Sequence, residues 1–291
     1  MHPNVLLPLT SSVLSLIFAV LVFDQYLHHR KMYQLVWAVG LVLYCTSAGT
    51  EFLGGAFGWS TDLFRWWYIL GAIGVAMYLG LGTIYLLGRT QFAWAAIAAL
   101  VLGSLPALFG PAKPFGLACL LAAAVLAVVR WRKPAWFGHA FLAVTLLGTA
   151  YAATVIFTAP VDTSLLPTSP DQIVNGQAFP ASVRILTPVF NMTGAIALSL
   201  GAAYSAYYFW RTRTKPHRMV SNVLIAVGAF IPAMTSGLSR FGLTNAFFVG
   251  ELLGVVCILA GFLVSIEVFS TYRIPLVGTV LRARASPDEG A

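Results

Sequence analysis

Val5-Leu-Leu-Pro-Leu-Thr-Ser-Ser-Val-Leu-Ser-Leu-Ile-Phe-Ala-Val-Leu-Val-Phe23 holds no ionisable side chain and is followed by Asp24 and the basic run His28-His-Arg-Lys31. As a helix rising 1.5 Å per residue it spans about 28 Å, close to the roughly 30 Å of a bilayer's hydrocarbon core. Backbone that crosses lipid must satisfy its own hydrogen bonds, so an open run of this kind predicts a helix. The leader Met1-His-Pro-Asn4 carries no Lys or Arg, and Phe23-Asp-Gln-Tyr26 is no small-residue cleavage site, so the run is expected to be retained as a span.

The same composition recurs along the chain. Its 291 residues are 59% hydrophobic and 9% charged, with a mean hydropathy of +0.85. Soluble domains carry about 25% charged residues, so a water-soluble domain is excluded. Nine stretches are expected to cross: 5–23, 34–53, 66–87, 93–109, 115–129, 136–158, 186–210, 220–238 and 247–269. The fourth and fifth are short and separated only by Gly110-Pro-Ala-Lys-Pro114; as a re-entrant hairpin they would reduce the count to seven. The expected architecture is an all-α integral membrane protein, a single transmembrane bundle over 1–270 with a cytoplasmic, partly disordered tail over 271–291.

Lys and Arg near span ends are retained on the cytoplasmic side. Alternate loops place Arg30, Lys31, Arg89, Arg130, Arg132, Lys133, Arg211, Arg213, Lys215, Arg218, Arg273, Arg282 and Arg284 on one side, leaving only Arg65, Lys113, Arg184 and Arg240 on the other. The N-terminus is therefore expected outside and the C-terminus in the cytoplasm, in a plasma (inner) membrane. Topology and anionic inner-leaflet lipid account for the net charge of +8, and no nucleic-acid partner is expected. Trp59, Trp66, Trp67 and Tyr68 are expected in the outer aromatic belt, and Tyr26, Tyr33, Trp131, Trp136, Tyr208, Trp210 and Tyr272 in the inner one.

An internal echo links the two ends of the chain. Thr46-Ser-Ala-Gly-Thr-Glu51-Phe52 closes the second span and Thr235-Ser-Gly-Leu-Ser-Arg240-Phe241 the eighth. Each follows a basic loop and an Ala-Val-Gly, beginning at Ala38 and Ala226. Residues 1–90 and 186–272 thus read as parallel three-helix repeat units. Duplicated bundles are a common build for transporters.

Ionisable groups inside lipid are functional candidates by default. None is expected at the midplane, which argues against a carrier coupled through a central carboxylate. The outer third gathers Glu51, Asp62, Glu251, Arg65, Arg184 and Arg240, with Thr46, Ser47, Thr50, Asn191 and Thr193. They read either as ion pairs locking helix ends, Glu51 with Arg240 among them, or as a polar pocket for a small solute or lipid headgroup. In the second reading the binding residues are Glu51, Arg65, Arg240, Glu251 and Asn191. No H-x-x-x-H or H-E-x-x-H spacing, nucleophile elbow or P-loop occurs, so no metal, cofactor or catalytic residue is expected. Gly250-Glu-Leu-Leu-Gly254 reads as a helix-packing motif and Pro232 as a kink.

Gly55-Ala-Phe-Gly-Trp59, Phe64-Arg-Trp-Trp-Tyr68 and Leu79-Gly-Leu-Gly-Thr-Ile-Tyr-Leu-Leu87 resemble a pattern of bacterial polytopic membrane proteins. The resemblance carries over no activity and no functional residue. The leading expectation is a permease-like protein for a small neutral or lipophilic solute. The alternative is a non-catalytic sensor or a subunit of a larger membrane complex with a membrane-protein partner, and a membrane-embedded enzyme comes third. A pocket between the two repeat units would favour the first, a filled core the second.

Overall fold

The computed structural model describes residues 2–169, 172–213, 216–239 and 245–264, and the backbone of 272–273 and 280–281. Nine helices of 17 residues or more follow one another in the described residues, one on each expected span. They are α1 (Pro3–His29), α2 (Met32–Phe57), α3 (Thr61–Leu87), α4 (Phe92–Leu108), α5 (Lys113–Arg132), α6 (Phe137–Thr158), α7 (Thr187–Thr212), α8 (Pro216–Ser239) and α9 (Asn245–Val264). Seven stretches are long and apolar enough to cross a membrane; α4 and the apolar part of α8, 218–232, are shorter. The protein is an all-α, multi-pass membrane protein. Apart from a two-residue antiparallel pairing of Tyr272–Arg273 with Val280–Leu281, the tail after residue 270 lies outside the described residues.

Local chemistry sets the helix ends. At α1 the His2 ring accepts from the Asn4 N–H (3.3 Å) and proline occupies the first turn, where its missing N–H costs nothing. Ser60 caps α3 by accepting from the Leu63 N–H (3.2 Å). Both α1 and α7 end on an arginine in the left-handed region, Arg30 (φ 52°) and Arg213 (φ 49°). In the middle of α3 the helix widens into a π-helical segment, Tyr68–Val75.

Six helices close into a ring. α1 packs on α2, α2 on α3, α3 on α7, α7 on α8, α8 on α9, and α9 back on α1. Helices α4 and α5 pair outside it, α4 against α7, and α6 flanks α3. Lipid offers no hydrophobic force between helices, so close approach at small residues holds such contacts. A Cβ on Gly194 would collide with the Ala76 carbonyl, and one on Gly80 with the Gly194 carbonyl, so α3 and α7 touch backbone to backbone. The Gly250-x-x-x-Gly254 face lies on α8, against Thr235 and Pro232.

The densest core lies where α3 to α7 meet the 159–186 loop, not at the ring's centre. Phe179, Val183 and Leu186 from that loop are almost wholly buried, and Phe179 packs on the rings of Phe64 and Tyr68, each at 4.9 Å. Two aromatic residues expected in the outer belt belong to this core instead. Trp66 is 51% exposed, but Trp67 and Tyr68 are 7% and 3% exposed. Successive helical residues point in different directions, and both buried rings have polar partners to meet: Glu51 for Trp67 and Thr187 for Tyr68.

Candidate functional site

At the centre of the ring the side chains leave a cavity of about 170 Å³. Every ring helix contributes to its wall: Phe18 from α1, Trp37 and Tyr44 from α2, Leu79 from α3, Ala202 from α7, Pro232 from α8 and Ile258 from α9. Three of its polar wall groups are turned onto backbone; Thr83 and Ser205 also line it. The Trp37 indole N–H donates to the Leu79 carbonyl (3.0 Å), the Asn222 amide to the Arg218 carbonyl (2.7 Å), and the Tyr44 hydroxyl to the Glu251 carbonyl (2.9 Å). The rest of the wall is predominantly apolar.

Two irregular helices form parts of the wall on either side of α7. Val75 and Ala76 line the cavity where the π segment of α3 returns to α-helix; such segments are rare and concentrate at functional sites. On α8, Pro232 has no N–H to donate to the Gly228 carbonyl one turn earlier. That carbonyl sits at the α8–α9 crossing, where a Cβ on Gly254 would come within 2.9 Å of it and a Cβ on Gly228 within 2.7 Å of the Gly254 carbonyl.

Near Tyr44 the two acids expected in the outer third come together. Glu51 on α2 is 4% exposed and accepts from the Trp67 indole N–H through Oε1 (2.7 Å). Its Oε2 is buried. The side chain of Glu251, from α9, is its direct neighbour. Arg65 is engaged elsewhere, by Asp62 (3.5 Å) and the Ala159 carbonyl (3.1 Å). Asn191 is half-buried on α7 and is not part of the cavity wall. Arg240, and with it the expected Glu51–Arg240 pair, lies outside the described residues.

The cavity is thus lined by none of the four described residues singled out from sequence, although Tyr44 joins it to the backbone of Glu251. Trp37, directly before Ala38-Val-Gly40, was its legible signal: an indole N–H inside a span needs a partner, and a backbone carbonyl on a neighbouring helix supplies it. Compared with known proteins, the chain matches no family model, no curated protein and no solved structure.

The role of Glu51 is separable by substitution. Glu51→Gln keeps an oxygen that accepts from Trp67 and is expected to leave stability near that of the parent. Glu51→Leu strands the buried indole N–H, and a loss of about 1–3 kcal/mol is expected. Thermal unfolding of the two variants side by side checks this; equal melting temperatures would remove Glu51 as the anchor of Trp67.

Proposed function

We propose that the protein is a permease-like carrier for small uncharged apolar solutes in a plasma (inner) membrane, with its N-terminus outside. The observation that carries this reading is the cavity whose wall draws on all six ring helices. A predominantly apolar wall, with its indole, amide and phenol already bonded to backbone, offers little to replace the hydration of a charge, and it selects uncharged solutes. An apolar cavity of about 150 Å³ takes up one benzene, so a volume of about 170 Å³ fits a single aromatic ring or its aliphatic equivalent.

A duplicated three-helix unit supports a transport role. Exchanging α1, α2 and α3 for α7, α8 and α9 maps the ring's contacts onto themselves. The first helix of each unit ends on a left-handed arginine, and the glycine of each Ala-Val-Gly packs on the third helix of its own unit, Gly40 on Leu79 and Gly228 on Gly254 and Ile258. Rocking of one unit against the other about a shared central site is how repeat-built carriers alternate access. Here Tyr44 and Glu251 tie the units together at the end nearer Glu51.

The test uses the purified chain in lipid nanodiscs, with benzene and indole as neutral probes and benzoate and benzylammonium as charged counterparts of similar size. A ligand at 100 times its Kd stabilises by about 2.7 kcal/mol, so the neutral probes are expected to raise the unfolding temperature and the charged ones to leave it unchanged. Efflux of the same neutral probe from proteoliposomes should exceed that from protein-free vesicles. No shift with any neutral probe, or equal shifts with the charged ones, would overturn the reading.

A further inference from the structure

A second site lies at the opposite, basic end of the bundle, where α5 passes into α6 through the single turn Pro134–Trp136. Val128, Val129 and Ala140 form the apolar floor of a groove of about 490 Å³, and Arg132, Lys133, Trp136 and His139 complete its wall. That volume falls within the range of about 300–1,000 Å³ typical of small-molecule sites.

No acid lines this groove among the described residues. Between Asp62 and Asp162 the chain has no Asp or Glu, while Arg89, Arg130, Arg132 and Lys133 all fall at this end. Arg130 donates to the carbonyl oxygens of Arg89 (3.3 Å) and Thr90 (3.1 Å), which hold the guanidinium without neutralising it. Arg132 lies over the Trp131 ring at 5.8 Å, again an uncharged partner. Among the described residues neither Arg132 nor Lys133 forms an ion pair. One ring nitrogen of His139 faces the Tyr85 hydroxyl (3.1 Å). Among the described residues no acid neutralises this cluster, and an anion bound in the groove would.

The neighbouring aromatic residues say where. Trp131 is 73% exposed and Trp136 64%, as rings at the level of lipid headgroups are. A cationic rim over an apolar floor, at headgroup depth, complements a phosphate joined to an acyl chain. We propose that this groove binds one anionic glycerophospholipid, with its phosphate at Arg132 and Lys133 and an acyl chain along Val128, Val129 and Ala140. The site is independent of the transport reading and of the ring cavity.

Native mass spectrometry of the full-length chain, titrated with phosphatidylglycerol or phosphatidylcholine of the same chains, tests this. Phosphatidylglycerol should be retained in preference as a single adduct. The double variant Arg132→Gln/Lys133→Gln should weaken it about thirtyfold, from the contribution of each basic residue at a charged membrane surface. Ala140→Phe, which fills the floor and keeps both charges, should weaken it as well. The matched double variant Arg211→Gln/Arg213→Gln, at the end of α7, should not. Equal retention of the two lipids, an equal loss in the α7 variant, or full competition by free glycerol phosphate would each overturn the proposal.

Discussion

Gly194→Val is expected to cost more stability than any other single substitution considered for this chain. Position 194 lies where α7 crosses α3, and a side-chain carbon there meets the Ala76 carbonyl and the backbone N–H of Met77. Overpacking a flexible core typically costs about 1–3 kcal/mol. Here the obstructing atoms are backbone on both helices, so no rotamer change relieves the collision and the helices must move apart. A loss above about 3 kcal/mol is therefore expected. Because α3 and α7 join the two halves of the ring, monodisperse protein on size exclusion should fall with thermal stability. Gly148→Ala is the control: a Cβ there meets the Phe190 ring at 3.4 Å, an ordinary contact. Helical Gly→Ala should leave stability unchanged or raise it by about 0.5–1 kcal/mol. A Gly194→Val protein that unfolds like the parent would mean that α3 and α7 do not meet at this crossing.

The same contact shows which features could be read from the chain and which could not. Every expected span is a helix because apolar runs between basic loops have one backbone solution in lipid. The partnership of those helices is less legible, since in lipid an apolar residue facing a neighbour looks like one facing an acyl chain. Trp66 and Trp67 illustrate the difficulty: adjacent and chemically identical, one faces outward and the other is buried against a carboxylate contributed by α2. Glu51 and Glu251 stand out as ionisable groups in spans, and the fold does bring them together. Beyond Trp37, the cavity has no distinct mark in the sequence because most of its wall is Ala, Gly, Leu, Ile and Val, the same residues that pack helices elsewhere in this chain. The π segment of α3 left no sign beyond Gly71 and Gly74.

Filling the cavity separates its use in binding from any part in stability. Ala202 on α7 and Ala229 on α8 line it, and a phenylalanine at either position brings its own benzene ring into a space of about 170 Å³, the size that holds one such ring. Ala202→Phe and Ala229→Phe are each expected to abolish the thermal shift produced by benzene and indole and to stop their facilitated efflux. Stability should move the other way, because the new ring packs against the apolar wall; cavity-filling changes commonly contribute about 0.5–2 kcal/mol. A stabilised protein without solute binding is the signature of an occupied site, since a variant that had merely lost its fold would lose both together. Leu200→Phe provides the comparison, because Leu200 sits on the same helix but is 52% exposed on its outer side, and it should bind and transport as the parent does. If Ala202→Phe is well folded and still responds to the neutral probes, the solute does not occupy the ring, and the carrier reading falls with it.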